Sequence, residues 1–209
     1  MGHAVLRSRW LKAVVFAAAL LPFASLLWRA WRLELGANPI ETVTRATGIW
    51  TLRFLLITLA VTPLRGILGA PDLIRFRRML GLFAFFYGCL HLMTYVWFDK
   101  FFDWRDMLAD VGKRPFIAAG AAAFFAMAPL AATSTRRWVG RLGGKRWRRL
   151  HRLIYFSAAA GVAHYFWLVK SDIRSPALYG VILAMLLLYR LASAVRPPSR
   201  SNLGMDQTS

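Results

Sequence analysis

The sequence predicts an all-α bundle of six membrane-spanning helices with both termini in the cytoplasm, and three observations carry that expectation. The 209 residues are 58% hydrophobic and 14% aromatic with a mean hydropathy of +0.46, too apolar for a water-soluble domain of this length. Six stretches, residues 12–28, 46–62, 79–98, 115–132, 150–169 and 176–195, are long enough to cross a bilayer core that takes about 20 helical residues. The third observation is how the charge is distributed.

The chain carries 28 Lys and Arg against 9 Asp and Glu, a net charge of +19. Segments 1–12, 63–78, 133–152 and 190–209 hold 18 of the bases against two acids, Asp72 and Asp206. The alternate segments 29–47, 99–114 and 170–175 hold nine bases against seven acids. Short basic loops stay on the cytoplasmic side, so even parity, and therefore six spans, is expected. The run "RRWVGRLGGKRWRRLHR" reads as a loop that orients the bundle and touches anionic lipid. Nothing beside it resembles a nucleic-acid reading module, which removes the usual meaning of such a charge.

Taken in order, the first span follows a basic N-terminus like that of a signal peptide, but no small-x-small cleavage site follows, so it is kept as a helix. "GANPIE" sets the start of the second: Asn38 as N-cap, Pro39 at the first helical position and Glu41 reaching back. Its end is expected at Pro63 in "TPLR". The third span holds the single cysteine, Cys89, which excludes an internal disulfide. Pro129 is expected to kink or fray the fourth. Near the inner end of the sixth, Arg190 reads as a snorkelling side chain. Trp28, Trp31, Trp50, Trp97, Trp104 and Trp167 fall at outer ends, and Trp10, Trp138 and Trp147 at inner ones, as interfacial belts. Residues 1–209 read as one domain without internal repeat, closed by the polar tail "PPSRSNLGMDQTS".

The stretch "FFYGCLHLMTYVWF" places His91 where no water solvates it, and intramembrane ionisable residues usually face the bundle interior. His91 lies seven residues from the outer end of its span and His164 five from the outer end of its own, a depth difference of about 3 Å at helical rise. Two neutral imidazoles meeting at one level are what bis-histidine ligation of a haem iron requires. One turn before each stands a glycine, Gly88 and Gly161, leaving a slot for a macrocycle. Small residues also serve close helix packing, with histidines hydrogen-bonded across the interface, and the pair alone leaves both readings open. His3, in the terminal tail, reads as solvated.

His151 sits about 20 Å below His164 at helical rise, near the inner surface, and about 140° round an ideal helix. Where a facing ligand would be expected in the third span stand Arg77 and Arg78, neither an ordinary iron ligand. The inner site is therefore incomplete, with a second haem, a flavin or a quinol pocket as its three readings. Arg53 is a permanent charge at the depth of the two histidines; it reads either as partner of a haem propionate or as a side chain snorkelling outward.

"GANPIE" followed by "TG", then "TPLR", "RRMLGL", "GCLH", "KRPFIAAG", "LAATS", "WRRLHRLIY" and "AHYFW" together resemble the MsrQ (YedZ) family of the ferric-reductase-like transmembrane group, over about residues 10 to 195. The resemblance implies a haem b electron-transfer subunit of the bacterial inner membrane, with electrons from the quinone pool passing to a periplasmic molybdenum-cofactor reductase that repairs methionine sulfoxide in envelope proteins. His91, His151 and His164 match the family's three histidines. FMN is implied as well, with no residue assigned to it. Only 14 residues follow the sixth span, so no nicotinamide domain is expected, and electrons are expected from a quinol or a separate cytoplasmic flavoprotein. No nucleotide fingerprint, zinc spacing or activated nucleophile is present, which places substrate chemistry on a partner. The outer loop "DKFFDWRDMLADVGKRP" is either a docking surface or a plain solvated loop. Two competing functions are a stand-alone membrane ferric reductase and a non-redox transporter or proton channel that relays through Arg53 and the histidines.

Overall fold

The computed structural model describes residue 6, residues 8–169 and residues 171–195; His3 and the polar tail lie outside the described residues. Among them are nine α-helices and no strand: α1 (Arg9–Trp31), α2 (Pro39–Ile67), α3 (Ile74–Thr94), α4 (Trp104–Lys113), α5 (Pro115–Ala132), α6 (Arg136–Leu142), α7 (Gly144–Leu150), α8 (Leu153–Leu168) and α9 (Arg174–Val195). A 3-10 turn, Pro71–Leu73, leads into α3, and a π-helical turn, Tyr95–Asp99, leads out of it. The all-α membrane-bundle expectation holds.

Five of these segments are long and apolar enough to cross a membrane: Arg9–Trp31, Pro39–Ile67, Pro71–Asp99, Pro115–Ala132 and Arg174–Ala194. The remaining apolar helix, α8, has 16 residues, or about 24 Å of rise. It is shorter than the stretch 150–169 because the chain turns at His151 and Arg152, where α7 ends.

Helix α2 starts on its cap: the Asn38 side chain accepts from the Glu41 N–H at 3.1 Å and donates to the Glu41 carboxylate at 3.2 Å. At its other end the expectation fails, because α2 runs through Pro63 to Ile67. Proline at 63 removes the N–H that would bond the Leu59 carbonyl. The structure supplies a substitute donor: Arg190 Nη2 reaches that oxygen at 3.3 Å and the Thr62 hydroxyl at 2.9 Å, while Nη1 donates to the Tyr155 hydroxyl. Freed backbone groups inside a bilayer must be satisfied by neighbours, and a neighbour does so here. Arg190 thus turns into the bundle instead of snorkelling away from it.

Beside Pro22 in α1 a side chain enters the neighbouring rung of the ladder. The buried Tyr87 hydroxyl donates to Ala19 O at 2.9 Å and accepts from Phe23 N–H at 3.1 Å. Ala19 and Phe23 are an i, i+4 pair, so the tyrosine is spliced into the helix ladder and pins α1 to α3. Tyr87 also stacks on Phe54 at 5.4 Å, within a core of Leu52, Leu55, Leu59, Phe83, Ala158 and Val162.

Helix α3 lies along α2, and α8 lies along α5; these are the two most extensive pairings in the bundle. Direct packing of α3 on α8 is marginal by comparison. The molecule is therefore two helix pairs facing each other, with α9 against α8 and α2 and with α1 at the edge. Each pair contributes one histidine to the space between them.

Candidate functional site

His91, on α3, and His164, on α8, meet across that space with ring centres 6.0 Å apart and planes at 76°. The Nδ1 atom of His91 lies 2.9 Å from Thr44 O on α2, and that of His164 lies 2.6 Å from Phe116 O on α5. A carbonyl only accepts, so each Nδ1 carries the proton and donates. This tautomer leaves the Nε2 lone pair for a Lewis acid, the arrangement found around metal-bound imidazoles. Two metal–nitrogen bonds of about 2 Å, with each ring centre about 1.1 Å beyond its nitrogen, set ring centres about 6 Å apart. The observed separation leaves room for one metal ion.

The two halves of the site share one construction. Each carbonyl acceptor is followed four residues later by a glycine that lies against the ring. A Cβ at Gly48 would stand 3.0 Å from His91 Cε1, and one at Gly120 would stand 2.9 Å from His164 Nδ1. In a helix the carbonyl of residue i points toward residue i+4, so a side chain there would screen the oxygen from an approaching imidazole. Glycine leaves the approach open. Spacing from the histidines along their own helices does not point to either glycine, although both stand inside helices, where each costs about 1 kcal/mol relative to alanine and so calls for a reason.

Gly88 and Gly161 are placed elsewhere. A Cβ at Gly88 would meet Met127 Cε at 3.1 Å, and one at Gly161 would meet Leu52 Cδ1 at 3.7 Å. Both lie at helix contacts with apolar side chains. Arg53 is exposed on α2; its Nε donates to the Tyr179 hydroxyl at 2.9 Å and its guanidinium lies 4.7 Å from the centre of the Trp50 ring.

His151 is not on the same helix as His164 but closes α7, with Trp147 stacked on its ring at 3.9 Å. The Thr133 hydroxyl donates to Pro129 O at 2.6 Å, so at 3.2 Å it accepts from His151 Nε2. His151, Arg77 and Arg190 line one cleft away from the His91–His164 pair, whereas Arg78 is exposed and outside that lining. No second imidazole faces His151 among the described residues.

At the C-terminal end of α3, Lys100 is nearly sealed from solvent between Asp106 at 2.5 Å and Asp110 at 2.6 Å. The two carboxylates hold its ammonium well above the ordinary lysine range. Lys100, followed by the Tyr95 hydroxyl and Arg114, holds Asp110 below the ordinary carboxylate range, against the opposing effect of burial. This network ties α4 down at the C-terminal end of α3, one turn beyond His91.

The described residues contain no group of three or more His, Cys, Asp or Glu that would hold a bare metal ion. A metal held between His91 and His164 would take its further donors from a bound ligand and not from a third such side chain.

A family model described as "Ferric reductase like transmembrane component" matches residues 47–162, more than half of the chain. A protein of Herminiimonas arsenicoxydans named "Protein-methionine-sulfoxide reductase heme-binding subunit MsrQ" is 55% identical over 194 residues, covering 92% of this chain and 89% of its own. The chain belongs to the MsrQ family. Proteins of the same name from Polaromonas naphthalenivorans and Bordetella pertussis are 50% identical over 192 residues and 51% identical over 185. The first match covers 88% of both chains, and the second covers 88% of this chain and 89% of the relative. The chain is thus similar to these relatives over nearly their whole length.

Proposed function

We propose that this chain is a haem b electron-transfer subunit of a methionine-sulfoxide reductase system, with His91 and His164 as the residues that would hold one haem. The observation that carries the reading is the ring pair itself, with both Nδ1 atoms engaged by carbonyls and ring centres 6.0 Å apart. The relatives' names, which describe heme-binding subunits, support it.

Haem, when bound, supplies a one-electron iron couple. The chain's residues define the rest. His91 and His164 would hold the iron from two sides, leaving it no open position for a substrate, so the site would serve electron transfer. The Thr44 and Phe116 carbonyls fix the tautomers and make the rings more basic, which favours the oxidised metal. Gly48 and Gly120 let the rings reach those carbonyls.

In this reading the chain crosses the bacterial inner membrane six times with both termini cytoplasmic, α8 being the short span. The haem then lies near the periplasmic face. Electrons enter from membrane quinol or a cytoplasmic flavoprotein and leave to a periplasmic molybdenum-cofactor reductase, which docks on the outer loop that Lys100 anchors. Arg53 is assigned to a haem propionate. FMN is assigned as a further cofactor without residues. The inner residues His151, Arg77 and Arg78 offer one imidazole and no second, so the proposal rests on the outer pair.

Reduced-minus-oxidised spectra of the purified chain test this reading. A b-type spectrum that appears on adding quinol, and is discharged by the periplasmic reductase, is the expected result. A colourless protein would contradict it and favour a transporter.

A further inference from the structure

The segment between α3 and α5 grips the bundle through charged groups and leaves its apolar side chains outside. Asp110 of α4 is buried against Lys100 and the Tyr95 hydroxyl, and Asp106 shares the same ammonium. Trp104, Leu108 and Val111 stand at i, i+4 and i+7, on one face of α4, and all three are exposed, Leu108 to 75%. A helix on a water-soluble protein packs such a stripe on the core. Here polar contacts hold the helix in place and the stripe is left free.

The turn before α4 repeats the pattern. Phe101 and Phe102 have φ of 46° and 63°, in the left-handed region that bulky side chains rarely enter. A turn in water takes glycine or asparagine at such positions. Phenylalanine is costly there twice, in its backbone and in its ring, which at Phe101 is 78% exposed. An apolar surrounding offsets the second cost.

The rings lead to that surrounding. Phe98 stacks on Trp97 at 6.1 Å, Trp97 meets Phe102 at 6.0 Å, and Phe102 meets Trp104 at 6.5 Å. Trp97 and Phe98 are exposed on Pro71–Asp99, a segment long and apolar enough to cross a membrane. The chain of rings is thus continuous from the free surface of a span to the free face of α4. A protein docked on that face would have to cover the span surface as well, whereas a bilayer covers both. Tryptophan, phenylalanine and leucine on one face of a short helix with charges on the other suit the boundary between headgroups and acyl chains.

We propose that α4 lies in the membrane surface at the C-terminal end of α3, with Trp104, Leu108 and Val111 turned to the acyl chains. Asp106 and Lys113, on the opposite side of the helix, face water. The Lys100 network sets the rotation of α4 about its axis, and the embedded rings hold the end of α3, one turn beyond His91, at a fixed depth. This goes beyond the electron-transfer reading and depends neither on haem nor on which leaflet is involved.

The test is nitroxide accessibility in the full chain, one chain per phospholipid nanodisc. Leu108→Cys, Val111→Cys and Lys113→Cys, each in a Cys89→Ser chain, carry the label; all three positions are exposed and accommodate it. Gel filtration and helical circular dichroism that match wild type verify each fold. Collision with oxygen, which concentrates in lipid, is compared with collision with a water-soluble nickel chelate. The oxygen-to-chelate ratio at 108 and at 111 is expected to exceed that at 113 by about fivefold or more. Equal ratios at the three positions would overturn the proposal and make the segment a solvated loop. Low collision with both reagents at 108 and 111 would overturn it too, because it marks a face covered by protein.

Discussion

Gly48 and His91 stand in one relationship, and Gly120 and His164 repeat it: a glycine one helical turn after a carbonyl lets the imidazole of a neighbouring helix donate its Nδ1 proton to that carbonyl. Both histidines are thereby fixed in the tautomer that leaves the Nε2 lone pair free for a metal.

Alanine at either position places a Cβ 3.0 Å from His91 Cε1 or 2.9 Å from His164 Nδ1, closer than the ring tolerates without moving. Gly48→Ala and Gly120→Ala are each expected to lower bound haem by more than half. Gly161→Ala, with its nearest neighbour at 3.7 Å, should leave haem content within error of wild type. Haemochrome content per chain after purification decides between them; equal loss in all three variants would show that glycine acts through packing alone.

Much of this was legible in the chain. Helices are announced by apolar runs of bilayer length, and the matched depth of His91 and His164 follows from counting residues to the span ends. The choice of glycine was not legible in the same way. Gly88 and Gly161 precede the histidines on their own helices, but the residues that decide a ring's orientation stand on the partner helices. Spacing within one helix does not report a neighbour's carbonyl. The same limit hid Arg190: from sequence it is a charge near a span end, and only its neighbour Pro63, with an orphaned carbonyl at Leu59, gives it a reason to turn inward. Likewise Pro63 reads as a stop until the donor that lets α2 continue is known. His151 was misplaced because the break at Arg152 falls inside an apolar and basic run with no proline or glycine to mark it.

The tyrosine that bridges the α1 ladder gives a stability prediction. Tyr87→Phe keeps the stacking on Phe54 but removes the partner of both Ala19 O and Phe23 N–H. Leaving such groups unsatisfied in a buried setting costs about 1–3 kcal/mol. A lowered thermal midpoint in detergent, with haem content per folded chain unchanged, is expected; a midpoint equal to that of wild type would mean that the ladder closes without the hydroxyl.

The outer-loop anchor should depend on pH in one direction. Asp110 is depressed in the folded chain, so its contribution is present above the unfolded carboxylate value of about 3.9 and is lost as pH falls through the folded value. Lys100 is raised, so its contribution is complete below about 10.4 and disappears only as pH rises through a still higher folded value. Hydrogen exchange of residues 100–113, corrected for intrinsic rates, should show protection from about pH 5 to pH 10 and its loss below about pH 4. Asp110→Asn should remove the protection at neutral pH. Protection that is flat down to pH 3 would sever the link between this network and the loop.

The central claim is the iron-binding pair, and a haemochrome titration of wild type, His91→Ala, His164→Ala and His151→Ala tests it most directly. Wild type and His151→Ala are expected to retain the outer haem, and its spectrum should vanish in His91→Ala and in His164→Ala. Equal pigment in all four proteins would contradict the account.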